Sequence, residues 1–226
     1  MPARRPKLWA YTVPFIVFAA LLVLNSGLRK IDKQLWLTLP EYWVYPVQTL
    51  FCGALVVRFG RAYELGRPRR TGFALLIALV VFAIWISPQA LLGFAPRRIG
   101  FNPLLLFDQR SPLYWLELVF RFARLVVVVP FVEEIFWRGF LLRFLIDENF
   151  ERVPLGAFSW FSFAVVTIGF ALSHSPPDWV AALIAGGLYN AVAYRTKSLS
   201  SCIFAHAITN LLLGLWIMQT KQWGFW

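Results

Sequence analysis

Seven apolar stretches separated by short polar or basic tracts leave this chain little choice of solvent or fold. A helix needs about 20 mainly apolar residues, each rising about 1.5 Å, to cross the ~30 Å hydrocarbon core of a bilayer. Residues 8–28, 37–57 and 72–93 reach that length, although Pro40, Glu41 and Pro46 weaken the second. Residues 126–146, 154–173, a short small-residue-rich 179–194 and 199–219 supply four more. Composition agrees, since 59% of the 226 residues are hydrophobic and 15% charged, against roughly 45–50% apolar residues in soluble domains. The pattern predicts an all-α fold, a polytopic transmembrane helical bundle of about seven spans. With neither an internal repeat nor a soluble segment, it predicts a single integral membrane domain over residues 1–226.

Eleven Trp and seven Tyr suit the same solvent, because their amphipathic rings favour the headgroup boundary. The net charge of +11 comes mainly from short tracts between apolar runs, with no DNA- or RNA-binding motif around them. The expected partner of these cations is therefore a bilayer with anionic headgroups and not nucleic acid. The tract at residues 58–70, RFGRAYELGRPRR, sets five Arg against one Glu and predicts that this loop and the N-terminus are cytoplasmic. The opening MPARRPKLWAYTVPFIVFAALLVL resembles a signal peptide, but its apolar run is long and has no convincing small-residue cleavage site, so it reads as a retained first span. Cys52 and Cys202, both in apolar stretches, make neither a disulfide framework nor a CxxC site.

Residues 112–146 contain no turn signal except Pro130 and would run about 50 Å as one helix, longer than the hydrocarbon core. The first part, with Glu117, Arg121 and Arg124 at helical spacing, is expected along the membrane interface. The second, from Val126, is expected to cross the membrane with a kink at Pro130.

Ionised side chains near a bilayer centre cost about 2.5–3.5 kcal/mol each, yet the segment VVVVPFVEEIFWRGFLLRFL carries Glu133, Glu134 and Arg138. Glu134 and Arg138, four apart, can pair along one helix face, whereas Glu133 points about 100° away and is free for another partner. Both histidines of the chain also lie in apolar segments: His174 ends the fifth, and His206 sits in the last with Asn210 one turn later. A return helix from Pro154 to His174 brings His174 to the level of Glu133. A Glu–Arg pair or a buried His alone is commonly a packing device. Two carboxylates, an Arg, both histidines and an Asn at membrane depth point to chemistry.

In order, EExxxR (Glu133, Glu134, Arg138), FxxxH (Phe170, His174) and HxxxN (His206, Asn210) resemble the motifs of the CPBP family, the type II CAAX prenyl endopeptidases and bacteriocin-processing proteases. The resemblance covers about residues 126–214. VPFVEEIFWRGFLLRFL, VPLGAFSWFSF, YRTKSL and the ending HAITNLLLGLWIMQTKQWGFW resemble the branch that accompanies bacterial exosortase systems. The resemblance implies a glutamate-type intramembrane endopeptidase without metal or other cofactor, multi-pass in a bacterial inner membrane. It would act on a membrane-associated protein or peptide, with exosortase-system proteins as partners. It implies that Glu133 and His174 activate the attacking water, that His206 and Asn210 form the oxyanion hole, and that Glu134 and Arg138 support the site. Phe170 reads as a packing residue. Three other readings remain. Glu and two His are competent zinc ligands, although HExxH is missing. Cys202, one turn before His206, offers a thiol, although a small residue easing helix packing explains it better. The same polar cluster could also serve a non-catalytic transporter or scaffold.

Overall fold

The computed structural model describes residues 5–30 and 35–226; the basic tract at residues 1–4 lies outside them. Among the described residues there are seven long helices and no strand. They are α1 (Arg5–Leu28), α2 (Glu41–Arg58), α3 (Thr71–Ala90), α4 (residues 112–144), α5 (Trp160–Leu172), α6 (Trp179–Thr196) and α7 (Leu199–Thr220). A short helix at Leu35–Thr38 precedes Pro40 and α2. The chain is an all-α helical membrane bundle in which α7 packs against α3, α4 and α6, and α5 pairs with α6.

Three helices, Lys7–Leu28, Thr71–Ala90 and Leu199–Thr220, are long and apolar enough to cross a membrane by length and composition. The other four differ for physical reasons. α2 carries Glu41, Pro46 and Gln48, α4 carries the buried charges, and α6 is rich in Ala and Gly with Asn190 and Arg195. α5 begins at Trp160, not at the expected residue 154. Gly156 has a φ of +76°, and a Cβ there would lie 2.6 Å from the Ala193 carbonyl oxygen. The close approach to α6 thus holds residues 154–158 in a turn.

The bundle keeps charged side chains in its interior, among apolar core clusters, and turns large apolar side chains outward. Val57 (81% exposed), Val180 (75%) and Val23 (73%) face outward, while Arg121, Arg124, Glu133, Glu134, Arg138 and Arg143 are all buried. Water would reverse this distribution, and lipid favours it. It also corrects the expectation for the start of α4. Residues 112–144 form one unbroken helix whose exposed face is Leu113, Trp115, Leu116 and Val119. Arg121 and Arg124 point into the protein and not outward from the helix, because a helix lined by apolar side chains keeps its charges where protein groups can surround them.

α4 is not regular. Pro112–Phe122 and Val129–Glu134 are α-helical, whereas Ala123–Val128 and Ile135–Leu141 are π-helical. The two wide segments flank the Glu133–Glu134 pair, and such bulges recur at functional sites. Ser111 caps the helix by accepting from the Leu113 N–H at 3.2 Å, with Pro112 in the first turn.

The basic loop 58–70 sits at the end where α1 begins and α4 finishes. The Tyr63 hydroxyl donates to the Ala10 carbonyl at 3.0 Å, Arg143 Nη2 to Glu64 Oε1 at 3.0 Å, and Ser201 Oγ to the Arg69 carbonyl at 2.8 Å. Burial pushes the Tyr63 phenol up, which keeps it a donor. His174 follows the far end of α5, so the expected functional residues approach the opposite, less basic end.

Candidate active site

Glu134, fully buried on α4, is the hub of the polar centre. Its Oε1 accepts from Arg138 Nη1 at 3.0 Å and contacts His206 Nδ1 at 2.9 Å, and its Oε2 has no partner among the described residues. Arg138 makes the expected pairing with Glu134 and two more bonds that sequence reasoning missed. Its Nε donates to Asn190 Oδ1 and its Nη2 to the Gly186 carbonyl, each at 3.0 Å. Asn190 Nδ2 then donates to Thr167 Oγ1 at 3.0 Å. One guanidinium thereby joins α4 to α6, and through Asn190 to α5. A Cβ at Gly186 would stand 3.2 Å from the Thr167 carbonyl oxygen, so the absence of a side chain lets α5 and α6 approach.

Glu133 faces elsewhere, as its place on the helix requires. It lines a cavity of about 230 Å³ together with His174, His206 and Asn210, whereas Glu134 and Arg138 lie outside that lining. The cavity thus gathers Glu133 from α4, His174 from beyond α5, and His206 and Asn210 from α7. Glu133 is 8% exposed and its Oε2 is buried without a hydrogen-bond partner among the described residues.

Each imidazole has a tautomer set by its neighbour. The Phe170 carbonyl can only accept, so His174 Nδ1, 2.8 Å away, carries the proton and leaves Nε2 with a lone pair. Phe170 also packs its ring against His174 at 4.8 Å and under Arg138 at 4.8 Å. The Glu134 carboxylate likewise takes the Nδ1–H of His206, whose ring stacks on Tyr189 at 5.1 Å and 20°. In the neutral ring His206 Nε2 is then an acceptor, and a second proton makes it a donor.

Asn210 has a structural task as well. The Val129 N–H donates to the Arg124 carbonyl five residues back, and the next carbonyl in that register, Leu125, would take the N–H of residue 130. Pro130 has none. Asn210 Nδ2 donates to the Leu125 carbonyl instead, at 2.8 Å. The amide has a second hydrogen left for the cavity. Asn210→Ala should therefore orphan Leu125 and lower stability by about 1–3 kcal/mol. In a Pro130→Ala background the restored N–H should remove most of that loss. Thermal unfolding of the four proteins measures the coupling, and strict additivity would contradict it.

Arg124, Tyr189, Thr209 and the segment Gly224–Trp226 also wall the cavity. Of these, Arg124 stood out in the sequence as one of three charges at helical spacing, with Glu117 and Arg121. Cys202 is fully buried, bonds the Ser198 carbonyl and lies outside the cavity lining. Among the described residues no group of three or more His, Cys, Asp or Glu side chains is placed to hold a metal ion.

A helical membrane bundle with carboxylate, imidazole and amide groups around one buried cavity is the architecture of an intramembrane enzyme or a polar-ligand carrier. Residues 115–212 match the family model of type II CAAX prenyl endopeptidase Rce1-like proteins, a stretch of just under half the chain that contains every group named in the motifs. No curated protein and no solved structure matches the chain.

Proposed function

We propose that this chain is a member of that protease family and hydrolyses a peptide bond of a membrane-associated substrate, with a water activated by Glu133 and His174. The observation that carries the reading is the shared cavity: Glu133, His174, His206 and Asn210 line it while the Glu134–Arg138 pair is sealed behind them. Glu133, which shares the cavity wall with His174, accepts a proton from water as the oxygen attacks the carbonyl carbon. The second Asn210 hydrogen meets the developing oxyanion. His206 meets it as an imidazolium, which the Glu134 carboxylate stabilises through Nδ1. The proton held by Glu133 passes to the leaving amine.

The positive-inside rule places the loop at 58–70 in the cytoplasm, so the cavity, near the end of α5, faces the other side. The reading therefore favours an exported or membrane-anchored substrate cut on the outer side of a bacterial inner membrane. The exosortase-associated branch fits that location and supplies the class of partner.

The test is hydrolysis by purified protein with and without a tight zinc chelator. Activity should persist with chelator, and Asn210→Ala should lower turnover by about 100-fold to 1000-fold, a loss that Pro130→Ala does not repair. Asn210→Asp should be equally impaired, since it replaces a donor by an acceptor. Stoichiometric zinc lost together with activity on chelation, or improved metal binding by Asn210→Asp, would establish the zinc hydrolase in its place.

A further inference from the structure

A second cavity, of about 670 Å³, adjoins the first and shares Arg124, Ser173, His174, Ser175 and Trp226 with it. Its wall carries Arg29, Lys30, Arg121 and Arg124 and, among the described residues, no carboxylate. Arg29 is matched by Glu41 at 2.8 Å, and Lys30 lies exposed at the rim. Arg121 and Arg124 are different. They are 2% and 6% exposed, stand three residues apart on α4, and enter no ion pair among the described residues.

Their surroundings compensate these charges only in part. Arg121 lies among the rings of Tyr45, Phe101 and Trp226 at 4.5–5.1 Å, and its Nε and Nη1 have no hydrogen-bond partner among the described residues. Arg124 donates through Nε to Gln48 Oε1 at 2.5 Å and lies 4.4 Å from the Tyr45 ring. Ring faces and one amide oxygen attract a cation weakly, and the carboxylates of Glu41 and Glu117 near Arg121 and of Glu133 near Arg124 stand beyond ion-pair distance, whereas two neighbouring guanidinium groups repel each other in a medium of low dielectric constant. A buried pair of this kind calls for an anion, and the planar forks of Arg match phosphate oxygens.

We propose that this cavity binds the phosphate of an anionic membrane lipid headgroup. The membrane is the source because the wall of the cavity reaches the outward, apolar surface of the bundle. Val23 belongs to its wall and is 73% exposed on the outer face of α1. The cavity lies where α1 and α5 end, the depth of headgroups, and its lining mixes Leu22, Val23 and Trp226 with the cations, as a glycerol–phosphate junction requires. Its volume falls within the range of ligand pockets. The assignment does not depend on proteolysis.

Binding is measured by native mass spectrometry of the full chain in detergent, titrated with dioleoyl phosphatidylglycerol or dioleoyl phosphatidylcholine. A preference of about tenfold or more for phosphatidylglycerol is expected from two basic groups. Arg121→Gln and Arg124→Gln should each reduce it severalfold, and Arg121→Lys and Arg124→Lys should retain most of it. A second measurement needs no variant: hydrogen exchange of the native protein should slow in residues 97–102 and 222–226 with phosphatidylglycerol and not with phosphatidylcholine. Equal affinity for the two lipids, an undiminished preference in folded Gln variants, or protection confined to other segments would overturn the proposal. Displacement of the lipid by millimolar inorganic phosphate would assign the site to a soluble anion and overturn it equally.

Discussion

Glu133→Gln should abolish cleavage, with turnover falling by at least about 100-fold to 10,000-fold, while the protein remains folded and inserted. The magnitude is that of losing a positioned general base. The fold should survive because Glu133 makes no ion pair and its Oε2 has no hydrogen-bond partner among the described residues. The amide keeps the size of the side chain and removes a charge that is costly to bury. His174→Ala should behave alike, since it gives up the bond to the Phe170 carbonyl, a 3.4 Å contact with Ser173 Oγ and contacts with the rings of Phe170 and Trp85. Detergent-extracted yield and melting temperature, measured beside activity, separate the roles. Equal loss of folded protein in both variants would make them packing residues.

The second large effect is on stability. Arg138→Ala leaves the Glu134 carboxylate fully buried with only His206 as donor, and strands Asn190 and the Gly186 carbonyl. Glu134→Gln leaves the guanidinium without its counter-charge and removes the acceptor that fixes the His206 ring. Breaking one side of a buried pair commonly costs about 3–5 kcal/mol, which in a chain of this size lowers the melting temperature by on the order of 10 °C. Both variants should therefore lose activity and stability together, unlike Glu133→Gln. Unchanged melting in both would contradict the stapling of α4 to α6.

The contrast between adjacent carboxylates was legible in the sequence, because Glu134 and Arg138 are four apart and Glu133 is turned away. The seven helical segments were legible for a similar reason, since apolar runs with turn residues between them leave one solution in lipid. Less was legible where the chain departs from regular periods. The π-helical segments of α4 carry no composition signal of their own, so the inward turn of Arg121 and Arg124 and the unpaired Leu125 carbonyl were hidden. The partners of Arg138 were hidden too, because Asn190 and Gly186 look like ordinary members of a small-residue helix. The late start of α5 at Trp160 depended on Gly156 meeting the Ala193 carbonyl, a contact across 37 residues of sequence that no local pattern encodes.

The central claim is that Glu133 activates water for peptide hydrolysis at the membrane. Its most direct test compares newly formed peptide termini in the membrane and exported proteins of cells carrying either the native chain or Glu133→Gln at equal abundance. The account predicts a discrete set of termini, close to membrane-embedded segments and on the outer side, that is present with the native chain and missing with the variant. Identical sets of termini in the two cell lines would contradict it.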